Sequence, residues 1–195
     1  MTTGWAFRHN EDAAWDGWND SAIASFRGKR LESLTREIIQ NSLDAVASEE
    51  EPVYVTMTER RLKKSQIPNF DMLEAALSKC WESREHEAKN SRTELQTARE
   101  IASKDSISVL SISDECTTGM AGPCVHGKPF YSYLKARGQS GGSDDRGGSH
   151  GIGKAAPLCA SDLRTIFAST MWKDDDSGLE KSIIQGRTTL MSHMT

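Results

Sequence analysis

Long apolar runs are missing from this 195-residue chain, in which hydrophobic residues make up 36% and charged residues 27%. Nothing approaches the roughly 18 consecutive apolar residues of a membrane span. The first residues, Met1-Thr2-Thr3-Gly4-Trp5, lack the basic stretch and apolar segment of a secretory signal, so a cytoplasmic chain with no membrane association is expected. Cysteine is sparse: Cys80, Cys116, Cys124 and Cys159 are too scattered for a disulfide-stapled secreted domain. Cys116, Cys124 and His126 are zinc-competent residue types, but no C-x-x-C pair or matching second half accompanies them. An excess of one charge is also missing. The formal net charge of −4 supplies no whole-chain nucleic-acid footprint and leaves only a local patch open. There is no solenoid-type repeat, and the length suits one domain with a sizeable core.

What is present falls into an order. Residues 4 to 28 hold Trp5, Phe7, Trp15, Trp18, Ile23 and Phe26, too aromatic for a disordered tail. This predicts an ordered N-terminal arm over 1–28, with the main domain over 29–195. A helix is expected from near Lys29 to Ala47-Ser48, stopped by Pro52. Val53 to Met57 reads as a strand. Phe70 to about Ser103, rich in Glu, Lys, Arg, Ala and Gln, reads as one long helix or a helical pair, largely solvated, inserted at about 70–103. Ser106 to Ser113 is a strand running straight into Asp114. A long Gly/Ser-rich loop follows from Glu115 to His150. A helix is expected only beyond Pro157, and Leu163–Thr170, a turn at 174–178, and Ser182–Met191 form a hairpin.

The central helix carries the unusual chemistry. At about 100° per residue, Glu37, Asn41 and Asp44 fall within roughly 60° of one another and form a polar ridge. Leu31, Leu34, Ile38 and Ala45 form an adjoining stripe at core-packing spacing, so the ridge borders the core. A carboxylate there costs several kcal/mol unless paired, hydrated or metal-bound. The bland alternative is a solvated helix face. Against it stand two further elements, Asp114 at a strand end and Gly148-Ser149-His150-Gly151-Ile152-Gly153-Lys154 opening a helix. Glycines let backbone N–H groups approach phosphate oxygens, a helix start adds positive potential, and Lys154 adds a charge. Asn41 offers a neutral oxygen suited to Mg²⁺, and Glu37, one turn earlier, is placed to take a proton from an attacking water.

The glycine cluster also approximates a P-loop, G-x-x-x-x-G-K-[ST], through Gly148, Gly153 and Lys154. Ala155 stands where the Mg²⁺-binding hydroxyl belongs, and a Gly/Ser/Asp loop precedes it instead of a buried strand. Both count against that reading.

Arg36-Glu37-Ile38-Ile39-Gln40-Asn41-Ser42-Leu43-Asp44-Ala45 followed by Gly148-Ser149-His150-Gly151-Ile152-Gly153-Lys154 resembles the N-box and glycine-rich lid motif of the GHKL ATPases. That superfamily includes gyrase-type topoisomerases, heat-shock chaperone ATPases, histidine kinases and MutL-like proteins. The resemblance spans roughly residues 30 to 192. It implies an α/β Bergerat fold, a two-layer sandwich of a mixed, mainly antiparallel sheet covered on one face by helices. ATP and Mg²⁺ are the implied cofactors and residues 115–150 the implied ATP lid. By the same resemblance Glu37 is the general base, Asn41 the Mg²⁺ ligand, Asp44 a support for the site, and Asp114 the group receiving the adenine amino hydrogen. The family's D-x-G-x-G appears as Asp114-Glu115-Cys116-Thr117-Thr118-Gly119-Met120, with Cys116 at the first glycine and one extra residue before Gly119. Gly119 and Met120 are then the nucleotide-side backbone, and Gly148 to Lys154 hold the phosphates.

No phosphorylatable-histidine segment is recognisable, which places the resemblance nearer the gyrase, chaperone and MutL side. Relatives there draw a phosphate-contacting lysine from a further domain, so such a domain or partner is implied, together with nucleotide-dependent pairing of two copies. Three functions follow: an ATP-hydrolysing conformational switch, an ATP-binding interaction module without turnover of its own, and a scaffold whose motif matches are chance.

Overall fold

A computed structural model describes residues 4–7, 14–136 and 153–194. It is a mixed α/β fold of short helices and two small antiparallel sheets. Helix α1 (Ser21–Ala24) is started by Asp20, whose Oδ1 accepts from the Ala22 and Ile23 amides at 2.9 and 3.1 Å, satisfying two of the orphan donors of a helix start. Helix α2 (Arg30–Asp44) follows. It ends before Ala47-Ser48, because the chain leaves the helix to bridge Val46 with Thr117.

Strand β1 (Tyr54–Lys63) continues past the expected Met57 and pairs antiparallel with β2 (Ser106–Glu115) over its whole length, from Tyr54 opposite Glu115 to Lys63 opposite Ser106. Between them lie α3 (Phe70–Glu82) and α4 (Lys89–Ala102). These helices are not the largely solvated insertion that their charge content suggests. Leu73, Leu77 and Cys80 on α3 and Leu95, Ala98 and Ala102 on α4 are at most 1% exposed and build the main core with Trp18, Ile107, Leu163 and Met191. The stripes are made narrow by alanine and cysteine, which lets charged residues dominate the composition while one face is fully apolar. Alternation along the ladder puts Leu62/Ile107 and Arg60/Val109 on one face of the β1–β2 pair, and Ile107 and Val109 join this core. Val55/Asp114 and Met57/Ile112 occupy the other face.

Beyond β2 comes α5 (Pro129–Leu134), a helix inside the stretch expected to be loop. A 3₁₀ turn at Gly153–Ala155 leads into α6 (Ala156–Ala160). That helix begins before Pro157 instead of after it, because a proline in the first turn removes only an amide that has no intrahelical acceptor. Strands β3 (Thr165–Lys173) and β4 (Glu180–Thr188) form the expected hairpin. Its inner face carries Ile166, Thr170 and Trp172 opposite Arg187, Ile183 and Lys181. Among the described residues no ladder joins it to β1–β2. Ile23, Phe26, Ala155, Ala156, Leu158 and Cys159 make a second core cluster under α1 and α6, against which Ile166 packs. The arm therefore contributes core: Trp18 to the first cluster and Ile23 and Phe26 to the second. No helix among the described residues is long and apolar enough to cross a membrane.

Leu31 does not belong to the core stripe. It is 67% exposed, while Leu34 is 4% and Ser42 2% exposed. Around the helix axis Leu31 falls between Ile38 and Ser42 and about 60° from Leu34, so the wheel alone does not separate the two leucines, and the covered part of the stripe is Leu34–Ile38–Ser42. Leu77→Ala is accordingly expected to cost about 2–5 kcal/mol, and Leu31→Ala to stay within about 0.5 kcal/mol. Urea unfolding of the two variants checks this, and equal losses would contradict the assignment of the core face.

Candidate functional site

Helix α2 presents its polar ridge unevenly. The Glu37 side chain is 20% exposed, with Arg36 Nη2 3.8 Å from its Oε1, whereas Asn41 and Asp44 are exposed. Asn41 lies within about 20° of Leu34 around the helix axis, yet Leu34 is covered and Asn41 is open. The inward face of α2 therefore opens at its second half onto solvent-filled space, with an amide oxygen at the opening. Asp44 Oδ1 accepts from Gln40 Nε2 at 2.9 Å, a contact within the helix.

Asp114 stands near the end of β2, opposite Val55. Its Oδ2 is 3.0 Å from the Ser42 hydroxyl, which is also 3.0 Å from the Ile38 carbonyl oxygen. One hydroxyl proton is shared between those two acceptors, and the contact ties the strand end to the face of α2 next to Asn41. The Asp114 residue as a whole stays exposed, and an ionised carboxylate only accepts hydrogen bonds. It is suited to a donor from outside.

The chain then runs along the C-terminal end of α2. Ala47 N donates to Cys116 O at 3.1 Å and Thr118 N to Ala45 O at 2.8 Å. Cys116 takes a φ of +61° and Gly119 one of +65°. The first is a left-handed conformation costing a non-glycine residue about 1–2 kcal/mol. Gly119 has a second constraint, because a Cβ there would overlap the Met171 carbonyl oxygen. Met120 N donates to Thr170 Oγ1 at 2.8 Å. Gly119 and Met120 are thus clamped between α2 and β3.

The other end of the site is made by the 3₁₀ turn. A Cβ on Gly153 would overlap the Glu37 carboxylate, so the turn's backbone rests directly on the proposed base. Lys154 Nζ donates to Ser132 O on α5 at 3.0 Å. Burial pushes its ammonium below the ordinary lysine range, and the Arg187 charge acts in the same direction. Gly148, Ser149, His150, Gly151 and Ile152 lie outside the described residues, as does the part of the expected lid from 137 to 150.

The structure thus gathers Glu37, Asn41, Asp114, Gly119, Met120, Gly153 and Lys154 around α2 and the inner face of β3–β4, with Asp44 one turn beyond Gln40. Among the described residues no group of three or more His, Cys, Asp or Glu side chains is placed to hold a metal. Asn41 supplies one oxygen, which fits a cation that keeps waters and takes its remaining ligands from phosphates. Ser42, Thr170, Ser132 and Arg187 were missed in the sequence. Ser42 had a signal: it sits one turn after Ile38, on the buried arc. Thr170 had the inner-face alternation of β3. Comparison of the chain with protein-family models, with curated proteins and with solved structures finds no match.

The two glycines make a contrast. Gly119→Ala meets backbone in a positive-φ conformation, so it is expected to cost more than about 2 kcal/mol. Gly153→Ala meets only the end of a flexible side chain, so it should cost less than about 1 kcal/mol while turning the Glu37 carboxylate aside. Denaturant melts of both variants check this, and a larger loss at Gly153 would contradict it.

Proposed function

We propose that this chain is a GHKL-type ATPase module that binds Mg²⁺-ATP in the cleft between α2 and β3–β4, hydrolyses it, and uses the nucleotide as a conformational or pairing switch within a larger cytoplasmic assembly. On this reading the two strand pairs belong to one layer of a Bergerat sandwich and the helices to the other. The observation that carries it is the meeting of three separate sequence motifs on one helix: Gly153 seated on Glu37, Asp114 bonded to Ser42, and Thr118 bonded to Ala45.

Each group then has a task. Asp114 accepts the exocyclic amino hydrogen of adenine, a charge-assisted bond that selects a donor over a carbonyl at that position. The clamped Gly119–Met120 backbone lines the base, and Asp44 steadies the helix end through Gln40. Asn41 holds Mg²⁺, which when bound neutralises phosphate charge. Lys154 and the glycine-rich box, Gly148 to Gly153, take the phosphates. Glu37, half-buried beneath Gly153, orients the attacking water and removes its proton.

A second reading, ATP binding without independent turnover, is favoured by one contact. Lys154 is engaged with the Ser132 carbonyl, and a phosphate-contacting lysine from a further domain or partner would then complete the site.

The test separates chemistry from binding. Glu37→Ala is expected to keep ATP affinity while turnover falls about 10²–10⁴-fold, so that bound ATP accumulates. Asn41→Ala is expected to weaken Mg²⁺-ATP binding more than Mg²⁺-free ADP binding. Full turnover in Glu37→Ala would remove the general base. Equal nucleotide losses in Asn41→Ala would reduce that residue to a structural role.

A further inference from the structure

A separate cavity of about 260 Å³ lies at the opposite, N-terminal end of α2, between α1, α4 and the start of β3. Its wall holds three guanidinium groups, Arg27, Arg30 and Arg164, against two carboxylates, Glu94 and Asp162. Glu94 is fully engaged. Its Oε2 accepts from Arg164 Nη2 at 2.8 Å, Arg27 Nη2 at 3.2 Å and Trp18 Nε1 at 3.2 Å, so two of the arginines share one negative charge. Arg30 pairs separately with Asp162 at 2.7 Å. One positive charge is left over in the wall. Asp20 lies outside the wall, where it caps the α1 amides while its negative charge still reaches Arg164.

The donors are as uneven as the charges. Arg164 is 4% exposed, stacks over the Trp18 ring at 4.1 Å and donates to the Trp18 carbonyl and Glu94, which makes it the fixed floor. Arg27 Nε is buried 3.0 Å from Glu94 Oε1, an ion pair without hydrogen-bond geometry. Ser161 Oγ accepts from Thr165 N at 3.2 Å, which leaves its own proton to donate. Surplus positive charge and a hydroxyl donor around one space call for an acceptor-only anion with several oxygens. Guanidinium forks match oxyanions bidentately. The volume equals roughly nine waters' share of liquid, more than an isolated oxyanion fills, and Ile23 supplies an apolar wall.

We propose that this cavity binds a small organic phosphate monoester, its phosphoryl oxygens received by Arg27, Arg30 and Ser161. The site is independent of the ATP reading, since none of its residues belongs to the cleft at Glu37, Asn41 and Asp114.

The experiment is calorimetric titration of the full chain, at constant ionic strength, with glycerol 3-phosphate, inorganic phosphate and glycerol. Glycerol 3-phosphate is expected to bind more tightly than inorganic phosphate, and glycerol not at all. Arg30→Gln should weaken the ester about tenfold or more, the effect of one lost charge-assisted contact. Lys154→Ala, in the other cleft, should change it less than about twofold. Arg27→Gln should behave as Arg30→Gln. If Arg27→Gln fails to fold, Arg30→Gln decides alone, because its only described partner is Asp162 at the half-exposed rim. Absence of ester binding, unchanged affinity in Arg30→Gln, or loss in Lys154→Ala would each overturn the proposal. Equal affinity for ester and inorganic phosphate would overturn the organic part.

Discussion

The contact of the Gly153 backbone with the Glu37 carboxylate is the constraint on which the site depends. No side chain fits between them, so position 153, in the glycine-rich box, must be a glycine if α2 is to keep its carboxylate under that turn. From this contact the remaining geometry follows in both directions. Forward along the chain, α6 packs on α2 and carries Ala155, Ala156 and Leu158 into the cluster with Ile23 and Phe26. Along α2 towards its C-terminal end, one further turn brings Asn41 to the opening and Ser42 to Asp114. The helix is held at three levels, by α6, by the strand end and by the Thr118–Ala45 and Ala47–Cys116 bonds, and the polar ridge is what those contacts leave uncovered.

Two different kinds of polar burial occur on α2. At its N-terminal end Glu94 and Arg164 hold one another across α4 and β3, and Trp18 is pinned beneath them. Breaking one partner there would leave a desolvated charge, an expensive outcome. At the other end the carboxylates of Glu37 and Asp114 meet a backbone turn and a hydroxyl instead of a cation buried with them. Those groups retain unsatisfied acceptor capacity, which suits binding, whereas the Glu94 cluster spends most of its capacity on cohesion.

Much of this was legible from the residues. The 3.6-residue period gave α2 and its ridge, the β-branched runs gave all four strands, and Asp174 to Gly178 gave the β3–β4 turn. What failed did so for physical reasons. Leu31 and Leu34 are both leucines at helical spacing on one stripe, but only tertiary packing decides which of the two is covered. The α3–α4 pair hid its core because Cys80, Ala98 and Ala102 contribute burial with little hydrophobicity. The pairing of β1 with β2 joins segments separated by two helices, so no local pattern could show it. Ser42 and Thr170 bury hydroxyls whose partners, Asp114 and Met120 N, come from distant parts of the chain. The left-handed Cys116 was the least readable. It is a non-glycine residue at a φ of +61°, a conformation that its residue type does not signal.

Recognition of adenine by Asp114 beside α2 is the claim on which the functional reading rests most heavily, and calorimetric titration with a non-hydrolysable ATP analogue tests it directly. Wild-type chain in the presence of Mg²⁺ should bind the adenine analogue and discriminate against the corresponding guanine nucleotide, which presents a carbonyl where adenine has its amino group. Asp114→Asn should lose about 1.5–3 kcal/mol of that binding, the range for a hydrogen bond to a charged group, with its melting curve unchanged. Equal affinity for the two nucleotides, or an Asp114→Asn variant that is folded and binds as tightly as wild type, would contradict it.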